Sequence, residues 1–208
     1  LQVVDAPPGA NAYEITVTKT GYTSEATEDA TVENPNPAKP HATVLLQQVT
    51  QISFVIDQTS TANISTITDT CAVVPSVSFN MKGSKLIGVN PDVYKFDQNL
   101  TTDSSGGKTV SSLEWDTYSI TLSGTTHYLA GVNPLLPVSI LPGAIQNIDL
   151  TLTARSPRHL LATVKDSATG LPLSGANVNL TGNSFDETLV TGLGFLGQSD
   201  WSGGAGQN

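Results

Sequence analysis

The stretch DSATGLPLSGANVNLTG, residues 166–182, begins with turn-forming residues and ends in an alternating run of small apolar side chains. Ala176, Val178 and Leu180 fall on one face of an extended chain, because successive side chains of a β-strand point to opposite faces. The glycines and the proline that precede them favour a tight turn. The stretch therefore predicts a β-hairpin with one face packed on a core, and it contains no acid–base pair, metal-binding cluster or phosphate loop.

Period-two alternation recurs through the rest of the chain. AYEITVTK at 12–19 alternates apolar and polar side chains, and LEWDTYSITL at 113–122 is a candidate for a long strand. Proline-rich segments, ENPNPAKP at 33–40 and NPLLPVSILPGA at 133–144, are typical of loops. These patterns predict an all-β fold of small antiparallel β-sandwiches in tandem.

An internal repeat indicates how the chain is divided. YEITVTKTGY at 13–22 resembles YSITLSGTTHY at 118–128, and each is followed by a proline-rich loop and a strand entered through Gln, at 50–57 and 145–154. We therefore expect three units, of which the first and third are incomplete. The predicted division is the C-terminal part of a first sandwich at 1–57, a linker at 58–72, a second, nearly complete sandwich at 73–154, and the start of a third at 155–208.

Composition excludes several classes of partner. The formal net charge is −9, and only nine basic residues are present among 208. Nucleic-acid binding depends on Lys and Arg that neutralise phosphates, and anionic membrane surfaces attract the same residues, so neither partner is expected. No run reaches the roughly 18 apolar residues of a membrane span, so no membrane insertion is expected. The first residue is Leu1, which indicates a piece of something longer, and the Thr-, Asn- and Ser-rich composition suggests an extracellular surface.

Several of these stretches also carry a family likeness. VKDSATGLPLSGANVNLTG at 164–182 is similar to the opening hairpin of carboxypeptidase regulatory-like domains, which are transthyretin-like (prealbumin-like) β-sandwiches. PGANAYEITVTKTGY at 8–22 resembles a later strand of that family, and SVSFNMKGSKLIG at 76–88 resembles repeats of large bacterial surface and pilus-associated proteins. The resemblance implies Greek-key units, transthyretin-like or Ig-like, that serve as non-catalytic stalks, spacers or binding modules.

Histidines offer no recognisable catalytic or metal-binding arrangement. His41, His127 and His159 lie far apart, and no GxSxG or HExxH motif surrounds any of them. We expect surface or structural roles for all three.

The acidic residues are open to two interpretations. Asp97, Asp103 and Asp116 could supply oxygen ligands to calcium. The TTDSSGG segment lacks the spacing of a calcium loop, so a turn capped by Asp103 is favoured. Glu114 and Asp116 are two apart on a strand candidate and are expected to form a solvated face rather than the facing pair of a glycosidase. We therefore predict no catalytic residue, no metal site and no cofactor.

Lys82, Glu114 and Asn147 occur in the order of a Lys–Asn isopeptide bond with its catalytic acid. Lys82 adjoins a turn glycine, and Glu114 is expected to point outward rather than toward an apolar face. The sequence therefore disfavours this cross-link.

The two tryptophans and the single cysteine complete the set of candidates. Trp115 alternates with Leu113, which predicts that it lies in the core. Trp201 lies in the glycine-rich SDWSGGAG, where a core position and a binding site are both open, and it is the candidate ligand-binding residue. Exposed aromatic rings can stack on sugars. Cys71 cannot form a disulfide within the chain and is predicted to be a buried or half-buried small hydrophobe.

The sequence thus predicts a non-enzymatic structural or adhesive stalk module of a secreted or cell-surface bacterial protein, of the pilus or adhesin kind. Its expected partners are other copies of itself, other surface-protein domains and glycans. The alternative is a carbohydrate-binding or accessory module of a secreted hydrolase.

Overall fold

The computed structural model describes residues 5–155, 159–191 and 198–202. Over these residues the regular structure consists of β-strands, which in chain order are β1 (Gly9–Tyr13), β2 (Thr16–Val17), β3 (Glu25–Ala26), β4 (Ala42–Val44), β5 (Ser60–Ile67), β6 (Ser78–Gly83), β7 (Leu86–Gly88), β8 (Val93–Tyr94), β9 (Asp97–Thr101), β10 (Gly107–Leu113), β11 (Asp116–Leu122), β12 (His127–Asn133), β13 (Val138–Ile140), β14 (Ile145–Ala154), β15 (His159–Thr163), β16 (Asn177–Gly182), β17 (Phe185–Val190) and β18 (Gln198–Ser202). Across this described part of the chain, no helix has the length and apolar character needed to cross a membrane.

The central part of the chain is a sandwich of two four-stranded sheets, with the strand orders β10–β5–β14–β12 and β13–β11–β6–β9. All neighbouring strands are antiparallel except β5 and β14. The predicted all-β class with antiparallel sandwich sheets is confirmed.

One hydrophobic core fills the space between the two sheets. Phe79 and Met81 of β6 and Tyr118 and Ile120 of β11 face Leu150 and its neighbours on β14, and each is at most 2% exposed. Their spacing of two residues places them on one face of each strand. Burial of an aromatic or large aliphatic side chain contributes about 1.5–3 kcal/mol, so this core supplies most of the stability of the sandwich.

The first and last strands of the sandwich lie side by side. β14 pairs with β5 in parallel over seven consecutive register positions, from Ile145 opposite Thr61 to Thr151 opposite Ile67. The prediction of a linker at 58–72 is therefore wrong over Ser60–Ile67. The buried hydroxyls of this polar strand are satisfied by the backbone, since Thr66 Oγ1 donates to the carbonyl of Val74 at 2.6 Å.

The chain passes from one sheet to the other through a corner, Ser112–Asp116. The predicted long strand at 113–122 is divided here: Leu113 ends β10 in one sheet and Asp116 begins β11 in the other. The β10–β5 register shifts just before the corner, and Ser112 has a φ of 58°. The hydroxyl of Tyr118 donates to the carbonyl of Glu114 at 2.7 Å, which closes a tyrosine corner.

The N-terminal region has short strands and a thin core. β1 pairs with β4, and β2 pairs with β3. Ile52, Phe54 and Ile56 alternate in burial as predicted, but no strand is assigned at 50–57, all of which are described residues. Ala42 is the buried apolar side chain among the described residues of this region.

The segment 166–172 forms the predicted hairpin turn. The Asp166 carboxylate accepts hydrogen bonds from the backbone N–H of Ala168 and of Thr169, at 3.0 and 2.7 Å. These bonds hold the pKa of Asp166 below its usual value. β16 then pairs with β17, with Val178 and Leu180 half-buried and their neighbours exposed, so the predicted alternation is confirmed.

Candidate functional site

Charged side chains converge at the corner. Glu114 is held by two ammonium groups, with Lys85 Nζ 2.8 Å from Oε1 and Lys95 Nζ 2.5 Å from Oε2. The Glu114 side chain is only 16% exposed. The prediction that Glu114 and Asp116 form a solvated face is wrong, because both side chains are bound by the loop between β6 and β7, and Glu114 also by Lys95 before β9.

Asp116 is buried and fully occupied by hydrogen bonds. It accepts from Ser84 Oγ at 2.6 Å, from the backbone N–H of Lys85 at 3.1 Å and from its neighbour Thr117 N–H at 2.7 Å. Gly83 permits this approach, since a Cβ on Gly83 would lie 2.4 Å from Asp116 Oδ2. Asp116 therefore ties the loop after β6 to the start of β11.

Tyr118 is a further ionisable group at the corner. Burial raises the pKa of its phenol, and the negative charges of Asp116 and Glu114 raise it further. The phenol consequently stays protonated and serves as a hydrogen-bond donor to the Glu114 carbonyl.

Trp115 does not lie in the core, so that prediction is wrong. The indole is 42% exposed, and Lys85 Nζ lies 4.0 Å from its ring centroid. Its predicted partner in alternation, Leu113, is buried as expected. The change of sheet at the corner breaks the alternation, because residues 114 and 115 belong to neither strand.

A shallow cleft of about 160 Å³ opens beside the corner. Its walls include the two lysines, Glu114 and Tyr118, and Thr23 and Ser24 of the N-terminal region complete it. Ligand pockets of drug size occupy roughly 300–1,000 Å³, so this cleft could take only a small group.

The N-terminal region is joined to the sandwich through a junction formed by residues 34–38 and 87–90. Pro37 bridges Gly88, the Ala38 N–H donates to the Ile87 carbonyl at 2.8 Å, and the Val89 N–H donates to the Asn36 carbonyl at 3.1 Å. The segment thus pairs with β7 through a single antiparallel bridge and its flanking hydrogen bonds.

Asn34 is the buried side chain of the junction. It is 6% exposed, and its Nδ2 donates to Glu28 Oε2 at 2.8 Å and to the Ile87 carbonyl at 3.2 Å. Its Oδ1 has no hydrogen-bond partner and lies against Gly88, where an added Cβ would be 1.8 Å away. Only a residue without a side chain fits at position 88.

A second contact fixes the fold of the N-terminal region itself. Lys39 Nζ lies 2.5 Å from Glu25 Oε1 and 4.5 Å from the ring centroid of Phe54. The Val55 N–H donates to Glu25 Oε2 at 2.7 Å. Burial alone would raise the pKa of Glu25, but the hydrogen bonds from Lys39 and Val55 outweigh it and hold this pKa below its usual value.

The structure does not bring together Lys82, Glu114 and Asn147, the residues that an isopeptide bond would require. Lys82 is on β6 with its Nζ 4.2 Å from the Tyr94 ring centroid, whereas Asn147 lies on the opposite sheet and accepts from Asn63. Glu114 is bound to the two corner lysines.

The other predicted candidates are also dispersed. Asp97 accepts from Asn80 Nδ2, and Asp103 caps its own turn by accepting from Ser105 Oγ at 2.6 Å and from backbone N–H groups. These bonds hold the pKa of Asp103 below its usual value, and the bond from Ser105 Oγ has the largest effect. Cys71 is exposed, with a φ of 61°, so the prediction of a buried thiol is wrong.

The histidines and Trp201 complete this comparison. His41 Nδ1 contacts Thr27 Oγ1 at 3.1 Å, and His127 Nδ1 contacts Thr126 Oγ1 at 2.9 Å. The side chains of His159 and Trp201 lie outside the described part, although the backbone of Trp201 pairs with Leu160 in the β15–β18 ladder. The ligand-binding role of Trp201 stays a prediction.

The corner has little means of acting as a catalyst. Both of its carboxylates are engaged, by ion pairs at Glu114 and by three hydrogen bonds at Asp116, so neither is a free general base. Among the described residues, no three His, Cys, Asp or Glu side chains are arranged to hold a metal ion. The arrangement instead holds three segments of the chain together: the loop after β6, the segment before β9, and the corner with the start of β11.

Comparison with known proteins adds little to this geometry. No family model matches the chain, and no curated protein matches it. The chain is similar to the streptococcal ancillary pilin at 15% sequence identity, with a TM-score of 0.36. The match covers 90% of this chain and 60% of the pilin chain, so the chain spans about 60% of the length of that structure. A similarity at this level assigns no family.

Proposed function

We propose that the chain is a non-enzymatic stalk module of a secreted or cell-surface protein, and that its sandwich carries tension between its two ends. The observation that supports this most is the parallel pairing of β5 with β14 over seven positions. The chain enters at the start of β5 and leaves at the end of β14. Because the strands are parallel, tension applied at these two points pulls β5 and β14 in opposite directions along their axes. The hydrogen bonds between the two strands are then loaded at the same time rather than broken one after another.

The junction supports the same function. A stalk transmits force and direction only if its consecutive parts are held together, and the strand-like pairing of 36–38 with 87–89 does this with backbone hydrogen bonds. The buried Asn34 anchors that pairing. Flexible linkage would instead let the N-terminal region move independently.

The outer faces of both sheets suit a position outside the cell. On one face Asn63 Nδ2 donates to Asn147, and on the other Asn80 Nδ2 donates to Asp97. Such short polar side chains are bonded to one another across the strands, which stabilises the sheets without presenting an apolar surface. We propose units of the transthyretin-like kind, a cell-surface location, and other copies or other surface-protein domains as neighbours.

Single-molecule stretching of the full chain between its ends tests this proposal. Unfolding of the sandwich releases the 95 residues from Ser60 to Ala154, which extend to at most about 340 Å. The expected record shows this step as one event, at a higher force than any event from the N-terminal region. A sandwich that yields before that region, or without a distinct step, would contradict a stalk role.

The alternative function, carbohydrate binding, is favoured by one observation: the indole of Trp115 is 42% exposed. It can coexist with a stalk, since the sheet pairing that carries tension lies elsewhere.

A further inference from the structure

The edge strands of the sandwich are not protected equally. Among the described strands, β10, β12, β13 and β9 end the two sheets. β10 and β12 each contain a register shift, and β13 has only three residues. Bulges and short strands are devices that keep sheet edges from pairing with other chains. β9 has neither, since its five residues, without a proline, pair with β6 in unbroken register. We infer that two copies of this chain join through β9.

β9 directs backbone hydrogen-bonding groups away from the sandwich. In an antiparallel pair, alternate residues of a strand exchange N–H···O bonds with the neighbouring strand. The Thr102 N–H donates to the Val77 carbonyl at 3.0 Å, so the even-numbered residues along β9 face β6. The N–H and C=O groups of Asp97, Asn99 and Thr101 therefore point to the other side, where no further strand follows among the described residues.

The sequence of β9 is complementary to a second copy of itself. An antiparallel pair centred on Asn99 places Asn99 opposite its own copy and Asp97 opposite Thr101, and it forms about six backbone hydrogen bonds. No two carboxylates face each other, and the Thr101 hydroxyl can donate to the Asp97 carboxylate of the other copy. Asn80 and Asn99 already form such an amide pair across β6 and β9, with Asn80 Nδ2 3.3 Å from Asn99 Oδ1. This self-complementarity favours a second copy over an unrelated strand.

The side chains of β9 can enter a continuous sheet as they stand. Asp97 is held on the outer face by Asn80 Nδ2 at 2.7 Å, and Leu100 is half-buried against the core. Pairing would cover the remaining exposed surface of Leu100 without disturbing either contact. A strand of five residues nevertheless forms a small interface, so we expect a weak, transient association.

The symmetry of this pair determines how two stalks would meet. An isologous antiparallel pair has its two-fold axis perpendicular to the sheet, and such an axis reverses every direction in the plane of the sheet. The direction in which β5 and β14 carry the chain is therefore reversed between the two copies. Two stalks joined through β9 point in opposite directions, as stalks from two facing surfaces do. This contact deepens the proposal that copies are neighbours and rests on it, whereas the load carried by β5 and β14 is a separate property.

Sedimentation velocity of the full chain, at concentrations up to about 1 mM, tests the contact. We expect a dimer whose fraction rises with concentration. Asn99→Asp, at an exposed position, brings two carboxylates together at the symmetry axis and should weaken the dimer at least about tenfold. The matched control Ser111→Asp adds the same charge at an exposed position of β10 and should leave the dimer unchanged. A chain that stays monomeric, or a dimer weakened equally by both variants, would overturn the inference.

A mixing experiment covers the case in which Asn99→Asp weakens the dimer by disturbing the fold. An equal mixture of Asn99→Asp and Asn99→Lys should associate again, because opposite charges then meet at the axis. A mixture that associates no better than Asn99→Asp alone would contradict the contact.

Amide hydrogen exchange then locates the interface within the dimer. The amides of Asp97, Asn99 and Thr101 should exchange more slowly at high than at low protein concentration, whereas the Leu100 amide, which faces β6, should be protected at both. Exchange of the first three amides that does not change with concentration would place the dimer contact elsewhere and overturn the inference. None of these results bears on the load carried by β5 and β14, which stretching measures on single molecules.

Discussion

Replacement of Gly88 by alanine is expected to open the junction between the N-terminal region and the sandwich. The added Cβ would lie 1.8 Å from Asn34 Oδ1 and 2.7 Å from its Cγ, so the buried asparagine has to leave its position. Its hydrogen bonds to the Glu28 carboxylate and to the Ile87 carbonyl would then be lost. A hydrogen bond to a charged group contributes about 1.5–3 kcal/mol and a neutral one about 0.5–1.5 kcal/mol. The free energy required to open the junction should therefore fall by roughly 2–4 kcal/mol.

The effect should be local. Gly88 is outside the hydrophobic core of the sandwich, so the global free energy of unfolding should change by less than about 0.5 kcal/mol. Native-state hydrogen exchange measures the opening of the junction separately from global unfolding, because the Ala38 and Val89 amides donate across the junction. We expect both to exchange about 30- to 1,000-fold faster in Gly88→Ala, the factor that corresponds to 2–4 kcal/mol.

The Asn34→Ala variant supplies the matched control. It removes the group that the new Cβ would meet, so Gly88→Ala should have little further effect in that background. Equal acceleration of exchange by Gly88→Ala with and without Asn34, or no acceleration in the presence of Asn34, would refute this account of the junction.

Three further predictions concern stability and reactivity. Phe79→Ala should destabilise the sandwich by about 3–5 kcal/mol in urea unfolding, because Phe79 is fully buried. The control Val49→Ala, at a 95% exposed site, should leave the free energy of unfolding almost unchanged. An equal loss of stability in the two variants would be inconsistent with the core described. Cys71 should react with a thiol reagent in the native protein nearly as fast as in urea, since it is exposed, and protection until unfolding would disprove that placement. The pKa values of Glu25, Asp103 and Asp166 are held below their ordinary values of 4.5, 3.8 and 3.8, so the unfolded chain binds more protons in acid than the folded chain. The stability that these carboxylates contribute is therefore full above their ordinary pKa values and is lost as the pH falls below them. A Tm that stays constant or rises from pH 5 to pH 2 would contradict this prediction.

Much of the fold could be predicted because alternation is a local signal. Val178 and Leu180 are half-buried on the face that the alternation in 166–182 indicated, although their strand pairs with β17 rather than with the chain before the turn. The alternating run remains in one strand, so its faces keep their orientation along the run.

The wrong prediction for Trp115 arises because the chain changes direction. At the corner, Ser112 adopts a positive φ and the chain changes sheet, so extrapolation of the alternation from Leu113 placed Trp115 inside. Strand β5 was missed for another reason, because its polar composition resembled a linker. Its inward-facing Ser60 and Thr66 are bonded to backbone carbonyls, which only the folded chain supplies.

The contacts of the candidate site could not be predicted because they are non-local. Asn34 meets Ile87 across 53 residues of sequence, and the pairing of Glu114 with Lys95 joins two parts of the chain that no motif connects. A charged residue at a strand end is usually solvated, so its residue type alone does not indicate an ion pair.

The direction in which the sandwich resists force tests the central claim most directly. In a Cys71→Ser background, handles can be attached at Thr59→Cys and Arg155→Cys, which pull β5 and β14 past each other from opposite ends. In the control, handles at Thr59→Cys and Leu141→Cys lie at the starting end of the same two strands and peel them apart. The account predicts a clearly higher rupture force for the first pair of handles. Equal forces in the two geometries would contradict the claim that the parallel pairing of β5 and β14 carries the load.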